Sequence, residues 1–167
     1  MLKRGAGVSG FDTGPANRLL DAWISRHRPD SFDRDGVWAG TGCCDYALLA
    51  ELMSEPYLRQ PPPKSTGREL FNLRWLDGKL GGTHRAPEDV QAILLEYTAV
   101  SVAADVRRYA PDAAVYACGG GAHNAGLLAA LARQRRPRAS SARRNLPLRD
   151  LTGRAGRRPR RRAPCVN

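Results

Sequence analysis

The chain has 167 residues, 42% of them hydrophobic, with 17 Gly, 12 Pro and a formal net charge of +11. That length supports one domain with a hydrophobic core and excludes a disulfide-stapled miniprotein. Charges interrupt each apolar run well short of the ~20 residues a membrane span requires, and Met1-Leu2-Lys3-Arg4 leads into Gly and Ser where a secretory signal would turn apolar, so a cytoplasmic protein with no membrane partner is expected.

The distribution of charge decides what the charge means. Residues 133–167 hold 13 Arg and one acid, Asp150, for a net of +12, which leaves residues 1–132 at −1. The body is neutral. The tail is rich in Arg, Pro, Ala and Gly and lacks an apolar period, so it cannot bury enough surface to offset the entropy of ordering. The expected organisation is a flexible N-terminus over 1–9, a folded body over 10–132 and a disordered basic tail over 133–167. Nucleic acid is expected only as a non-specific partner of the tail, which lacks aromatic platforms for bases. None of the four cysteines forms a C-x-x-C pair, three scattered His make no zinc set, and reduced, mostly buried thiols are expected.

In chain order, Pro15 at a first-turn position and Leu19, Leu20, Trp23 and Ile24 on one face predict a helix ending near Arg28-Pro29. Asp33-Arg34-Asp35-Gly36 marks an Asx-type turn; a calcium loop fails because its twelfth position is Cys44. Leu48, Leu49, Leu52 and Met53 predict a second helix, closed before Pro56. After Pro61-Pro62-Pro63, Thr66-x-x-Glu69 has the form of a capping box for a helix carrying Leu70, Phe71, Leu73 and Leu76. Pro87, Glu88 and Asp89 open the longest helix, with Val90, Ile93, Leu94, Tyr97, Ser101 and Ala104 facing inward and an end near Tyr109. The apolar run 113–118 reads as a short strand, followed by Gly119-Gly120-Gly121 and a helix from His123-Asn124 carrying Leu127, Leu128 and Leu131.

Three places can carry chemistry. Three residues without Cβ between a strand and a helix N-terminus let phosphate approach backbone N–H groups, although Gly119–Gly121 is neither a Walker loop nor a dinucleotide fingerprint, because Asn124 stands where a third spaced glycine would be. A tight connection explains the same triplet. Asp12, beside a glycine turn, can act as a general base, or Asp12 or Thr13 can simply cap the following helix. Lys64, Thr66 and Glu69 can position a sugar or phosphate, with the capping box as the ligand-free explanation of the latter two; Asn17 and Asp21 fit a solvated helix face.

Four blocks in order, GFDTGPAN-x-LLDAWI, FDRDG-x-WA-x-(S/T)G, PYLRQPPPKSTGRELFN and CGGGAHN, spread over about residues 10 to 132, resemble the C-terminal half of anhydro-N-acetylmuramic acid kinase. The resemblance implies an α/β fold, the second domain of an actin/hexokinase-like sugar kinase, incomplete at both ends. It also implies ATP with Mg²⁺ as cofactors, an amino-sugar substrate, and a homodimer for the complete family member. The implied reaction converts 1,6-anhydro-N-acetylmuramic acid, ATP and water into N-acetylmuramic acid 6-phosphate and ADP in peptidoglycan recycling.

Residue by residue, Asp12 would be the catalytic base, Thr13 and Gly14 would lie at the second phosphate loop, and Gly119, Gly120 and Gly121 would face the nucleotide. Asn17, Lys64, Thr66, Glu69 and Asn124 would serve substrate or structure, and no residue is assigned to metal. Ala16 stands where the family usually has glycine, the family's first phosphate loop has no counterpart, and past Arg133 the basic tail replaces family-like sequence. An out-of-frame reading of a GC-rich gene accounts for that break, and the chain alone is expected to be an inactive fragment. The alternative is a basic nucleic-acid-binding protein acting through the tail.

Overall fold

The computed structural model describes residues 9–67 and 69–135, so the expectations for residues 1–8 and for the tail from 136 onward lie outside the described residues. Among the described residues six α-helices follow in order: α1 (Arg18–His27), α2 (Tyr46–Met53), α3 (Pro56–Arg59), α4 (Leu73–Leu80), α5 (Pro87–Tyr109) and α6 (Ala125–Arg135). Short 3-10 turns occur at Arg34–Gly36, Ala39–Thr41 and Gly120–His123.

Helix α5 is the axis on which the rest is laid. Its first residue, Pro87, gives up no intrahelical bond, Glu88 and Asp89 sit at the positive end of the helix dipole, and Arg107 and Arg108 sit at the negative end. Helices α1, α2 and α6 and the Ala39–Thr41 turn pack around it, while α4 closes against α1 and α2. The predicted inward positions Val90, Ile93, Leu94, Tyr97 and Ser101 are buried, and Ala104 is half-buried. Burial extends further round the helix, to Gln91, Ala92, Leu95, Thr98, Ala99, Ala103 and Asp105, because partners cover more than one face.

The apolar residues foreseen on α1 and α2 supply the facing surfaces: Leu19, Leu20, Trp23 and Ile24 from one helix, Leu48, Leu49 and Leu52 from the other. Trp23 also donates its indole N–H to the carbonyl of Pro87 at 2.8 Å, tying α1 to the start of α5. Beneath α4, Phe71 meets Tyr57, Trp75 and Tyr97 edge-on, with ring centroids 5.6, 5.3 and 6.3 Å apart. Such edge contacts set positive ring rims against negative faces and add to the area buried.

Several expectations need correction. Among the described residues there is no strand, and 113–118 forms none. A strand requires a neighbour to take its N–H and C=O groups, and residues 114–118 have no backbone partner among the described residues. The capping box does not form either: α4 begins at Leu73, capped by Asn72, whose side chain accepts from the Trp75 N–H, so Leu70 and Phe71 lie in the preceding turn. The first helix starts at Arg18 rather than Pro15, and a 3-10 turn precedes α6. Asp33 does more than close an Asx turn. Buried, it accepts from the N–H groups of Trp38 and Ala39 at 2.9 Å each, locking the whole 33–39 loop. Of the cysteines, Cys118 is exposed rather than buried, and Cys44 is half-buried with burial pushing its thiol up to about 12.

Because Leu94 is fully buried at the middle of α5, Leu94→Ala is expected to lower the unfolding free energy by about 2–5 kcal/mol in urea titrations. Tyr46→Ala, at a residue 73% exposed, is expected to change it by less than about 0.5 kcal/mol.

Candidate active site

The inward face of α5 changes chemistry along its length. Its first half is apolar except for Gln91, whose amide reaches Asp33 at 3.5 Å, while Thr98, Ser101 and Asp105, spaced three and four apart, place a buried polar stripe on the second half. The turn Asp12–Asn17 docks on that stripe. Thr98 donates its hydroxyl to the carbonyl of Ala16 at 3.1 Å. Ser101 approaches so closely that a Cβ on Gly14 would stand 3.1 Å from its Oγ, which explains a glycine there by contact alone.

Asp105 reaches the second partner of the turn, the segment Lys64–Thr66. Its carboxylate Oδ2 lies 2.9 Å from the Lys64 ammonium, with the two side chains 6% and 1% exposed. The contact is an ion pair without directed hydrogen-bond geometry. The ammonium donates instead to the carbonyl of Leu58 at 3.2 Å and sits 5.4 and 5.9 Å from the ring centres of Tyr57 and Phe11.

Asp12 is held by that segment on three bonds. Its N–H donates to the Lys64 carbonyl at 3.1 Å, and its Oδ2 accepts from the Thr66 N–H at 2.9 Å and from the Ser65 hydroxyl at 3.1 Å. Tyr57, whose hydroxyl is pushed up by burial and by the charges of Asp12 and Asp105, donates to the Asp12 carbonyl at 3.1 Å. The side chain is exposed, and among the described residues nothing donates to Oδ1. A carboxylate fixed through one oxygen and open at the other can accept a proton from a bound water or hydroxyl. It does not cap α1.

The glycine triplet lies beside this turn. A Cβ built on Gly121 would be 3.4 Å from Asn17 Oδ1 and 3.6 Å from its Nδ2, so Asn17 joins the two loops. Gly119 has φ +71, and neither it nor Gly120 has any atom within 4 Å of a would-be Cβ, which leaves the backbone open where a 3-10 turn starts and its first N–H groups lack intrahelical partners. Among the described residues no three His, Cys, Asp or Glu gather to hold a metal. Magnesium commonly binds through phosphate oxygens, water and one or two carboxylates, so it would arrive with the nucleotide.

Of the remaining candidates, Thr66 and Asn124 bond to these two loops through their backbone N–H groups, and Glu69 stands apart. Asn124 is buried, caps α6 by accepting from the Leu127 N–H at 2.9 Å, and packs its Oδ1 where Gly36 has no room for a Cβ, 2.8 Å away. Thr66 serves through its N–H, and its hydroxyl donates to the Gly67 carbonyl at 3.5 Å. Glu69 is exposed and lines, with Glu51, Arg74, Trp75 and Lys79, a groove of about 640 Å³ between α2 and α4 in which Asp12 and the glycines take no part. Burial pushes the Asp21 carboxyl up, so the acid is not on a freely solvated face. Ser65, Tyr57, Thr98, Ser101 and Asp105 were not singled out as site residues from the sequence; an acid on the inward stripe of α5 was the signal for Asp105.

Ala16 adopts φ +50, a left-handed conformation costly for a residue with a Cβ. Ala16→Gly is therefore expected to raise stability by about 0.5–1 kcal/mol, read as a higher denaturant midpoint; a lower midpoint would show that the turn does not hold this conformation.

A family model for anhydro-N-acetylmuramic acid kinase matches residues 1–146. The chain is 52% identical over 136 residues to the curated anhydro-N-acetylmuramic acid kinase of Chromobacterium violaceum, covering 80% of this chain and 37% of that protein. To those of Burkholderia pseudomallei and Burkholderia cenocepacia it is 57% identical over 127 residues and 56% over 129, covering 75% and 76% of this chain but 33% and 34% of theirs. The chain thus spans about a third of the length of these relatives.

Proposed function

The chain belongs to the anhydro-N-acetylmuramic acid kinase family, and on that premise we propose that it carries the catalytic base and part of the nucleotide site of an ATP-dependent kinase acting on 1,6-anhydro-N-acetylmuramic acid. The observation that carries the reading is the Asp12 carboxylate, fixed through one oxygen, on a turn whose Asn17 meets the glycine triplet at Gly121.

In this reading Asp12 Oδ1 takes the proton from the water that attacks the anomeric carbon. The anhydro bridge then opens, and the 6-oxygen it frees accepts the γ-phosphoryl group, giving N-acetylmuramic acid 6-phosphate and ADP. ATP with Mg²⁺ supplies the phosphoryl group and neutralises its charge when bound. Thr13, Gly14 and the Gly119–Gly121 backbone hold the phosphates, so that the chemistry is mostly positioning. Lys64, Asn124 and the Thr66 backbone act structurally, which their burial and bonds support.

The finer fold assignment follows from the same premise. Residues 114–118, apolar and without backbone partners among the described residues, become a strand when the rest of the sugar-kinase fold supplies a sheet edge, which gives the α/β second domain of an actin/hexokinase-like enzyme. Backbone groups left unpaired beside a glycine turn are what such an edge would satisfy.

The test is a chimera in which residues 10–132 replace the matching third of the Chromobacterium violaceum enzyme. ADP release with anhydro sugar and ATP is expected, and Asp12→Asn is expected to lower kcat about 10²–10⁴-fold with little change in KM for ATP. An Asp12→Asn chimera turning over like its parent would remove Asp12 from the chemistry.

A further inference from the structure

The Lys64–Asp105 pair is buried on both sides, and its side chains play no part in the proton or phosphoryl transfer described above. Buried ion pairs are poor stabilisers, because the desolvation of two charges offsets most of their attraction. Its location suggests another use. Lys64 opens the Lys64–Thr66 segment that supplies three of the bonds to Asp12, and that segment follows three prolines and belongs to no helix. What fixes its start is the Lys64 side chain: the ion pair to Asp105 on α5, the bond to the Leu58 carbonyl, and the rings of Tyr57 and of Phe11, the residue just before Asp12.

We infer that Lys64 and Asp105 are positioning residues, an ion-pair peg that registers the Lys64–Thr66 segment against α5 and so holds the Asp12 carboxylate with one oxygen engaged and the other open. The inference deepens the reading of Asp12 as the base and rests on it for its catalytic meaning. In mechanical outline, α5 carries the Asp12 turn from one side through Thr98 and Ser101 and from the other through Asp105 and Lys64. Loss of the peg frees one of these two grips. Asp12 then keeps its chemistry and loses its place.

The test is amide hydrogen exchange by NMR on the full 167-residue chain, comparing wild type with Lys64→Met/Asp105→Leu, which removes both buried charges together, and with the isosteric Asp105→Asn. The amides of Asp12 and Thr66, which donate to the Lys64 carbonyl and to the Asp12 carboxylate, are expected to exchange about tenfold faster or more in both variants, while those of Ile93 and Leu94 keep their wild-type rates. Unchanged exchange at Asp12 and Thr66, or acceleration equal to that at Leu94, overturns the inference by showing a general structural role. Should the double variant not fold, Asp105→Asn decides alone by the same criterion. Failure of the base reading is seen separately, as an Asp12→Asn chimera that retains turnover, and leaves the exchange result intact.

Discussion

The arrangement of this molecule depends on how an irregular turn near its N-terminus is held against the long helix α5. Neither the turn nor the Lys64–Thr66 segment that bonds to it has regular structure, so their backbone groups must find partners elsewhere. They find them in each other and in the polar stripe Thr98, Ser101 and Asp105. Helix α5 can offer that stripe because its first half is anchored by apolar contacts with α1, α2 and α6. Core packing and site geometry are thus two ends of one helix.

That division shapes what the glycines and small residues do. Gly14 yields to Ser101, Gly36 yields to the Asn124 side chain, and Gly121 sits against Asn17. Each is a place where two segments distant in sequence close to contact. Gly119 and Gly120 differ: a Cβ built on either would meet no atom within 4 Å, and the proposed reading uses that open backbone for phosphate. Ala16, a residue with a Cβ in a left-handed conformation, marks a strained point in the same turn.

Local signals in the sequence were enough for the helices with a clear apolar face and a clear boundary. Pro87 with two acids, and Pro56 after Leu52-Met53, set limits that the structure keeps. Signals that depended on a distant partner misled. Thr66-x-x-Glu69 has the right spacing for a cap, but Asp12, 54 residues away, takes the Thr66 N–H and Asn72 caps the helix instead. The run 113–118 has strand composition, yet a strand is made by its neighbour, and residues 114–118 have no backbone partner among the described residues. For the site, Asp12 and the glycine triplet stood out through the resemblance of whole blocks, whereas the groups that fix Asp12 in place, Ser65, Tyr57 and Asp105, carry no motif of their own and become visible only in three dimensions.

The central claim is that the Asp12 turn and the glycine turn line one polyphosphate site. It is tested most directly by titrating the isotopically labelled chain with magnesium and a non-hydrolysable ATP analogue and following backbone amides by NMR. Thr13, Gly14, Gly119, Gly120 and Gly121 are predicted to shift together along one saturating curve. Shifts confined to the groove between α2 and α4, or movement of one turn without the other, would contradict the account.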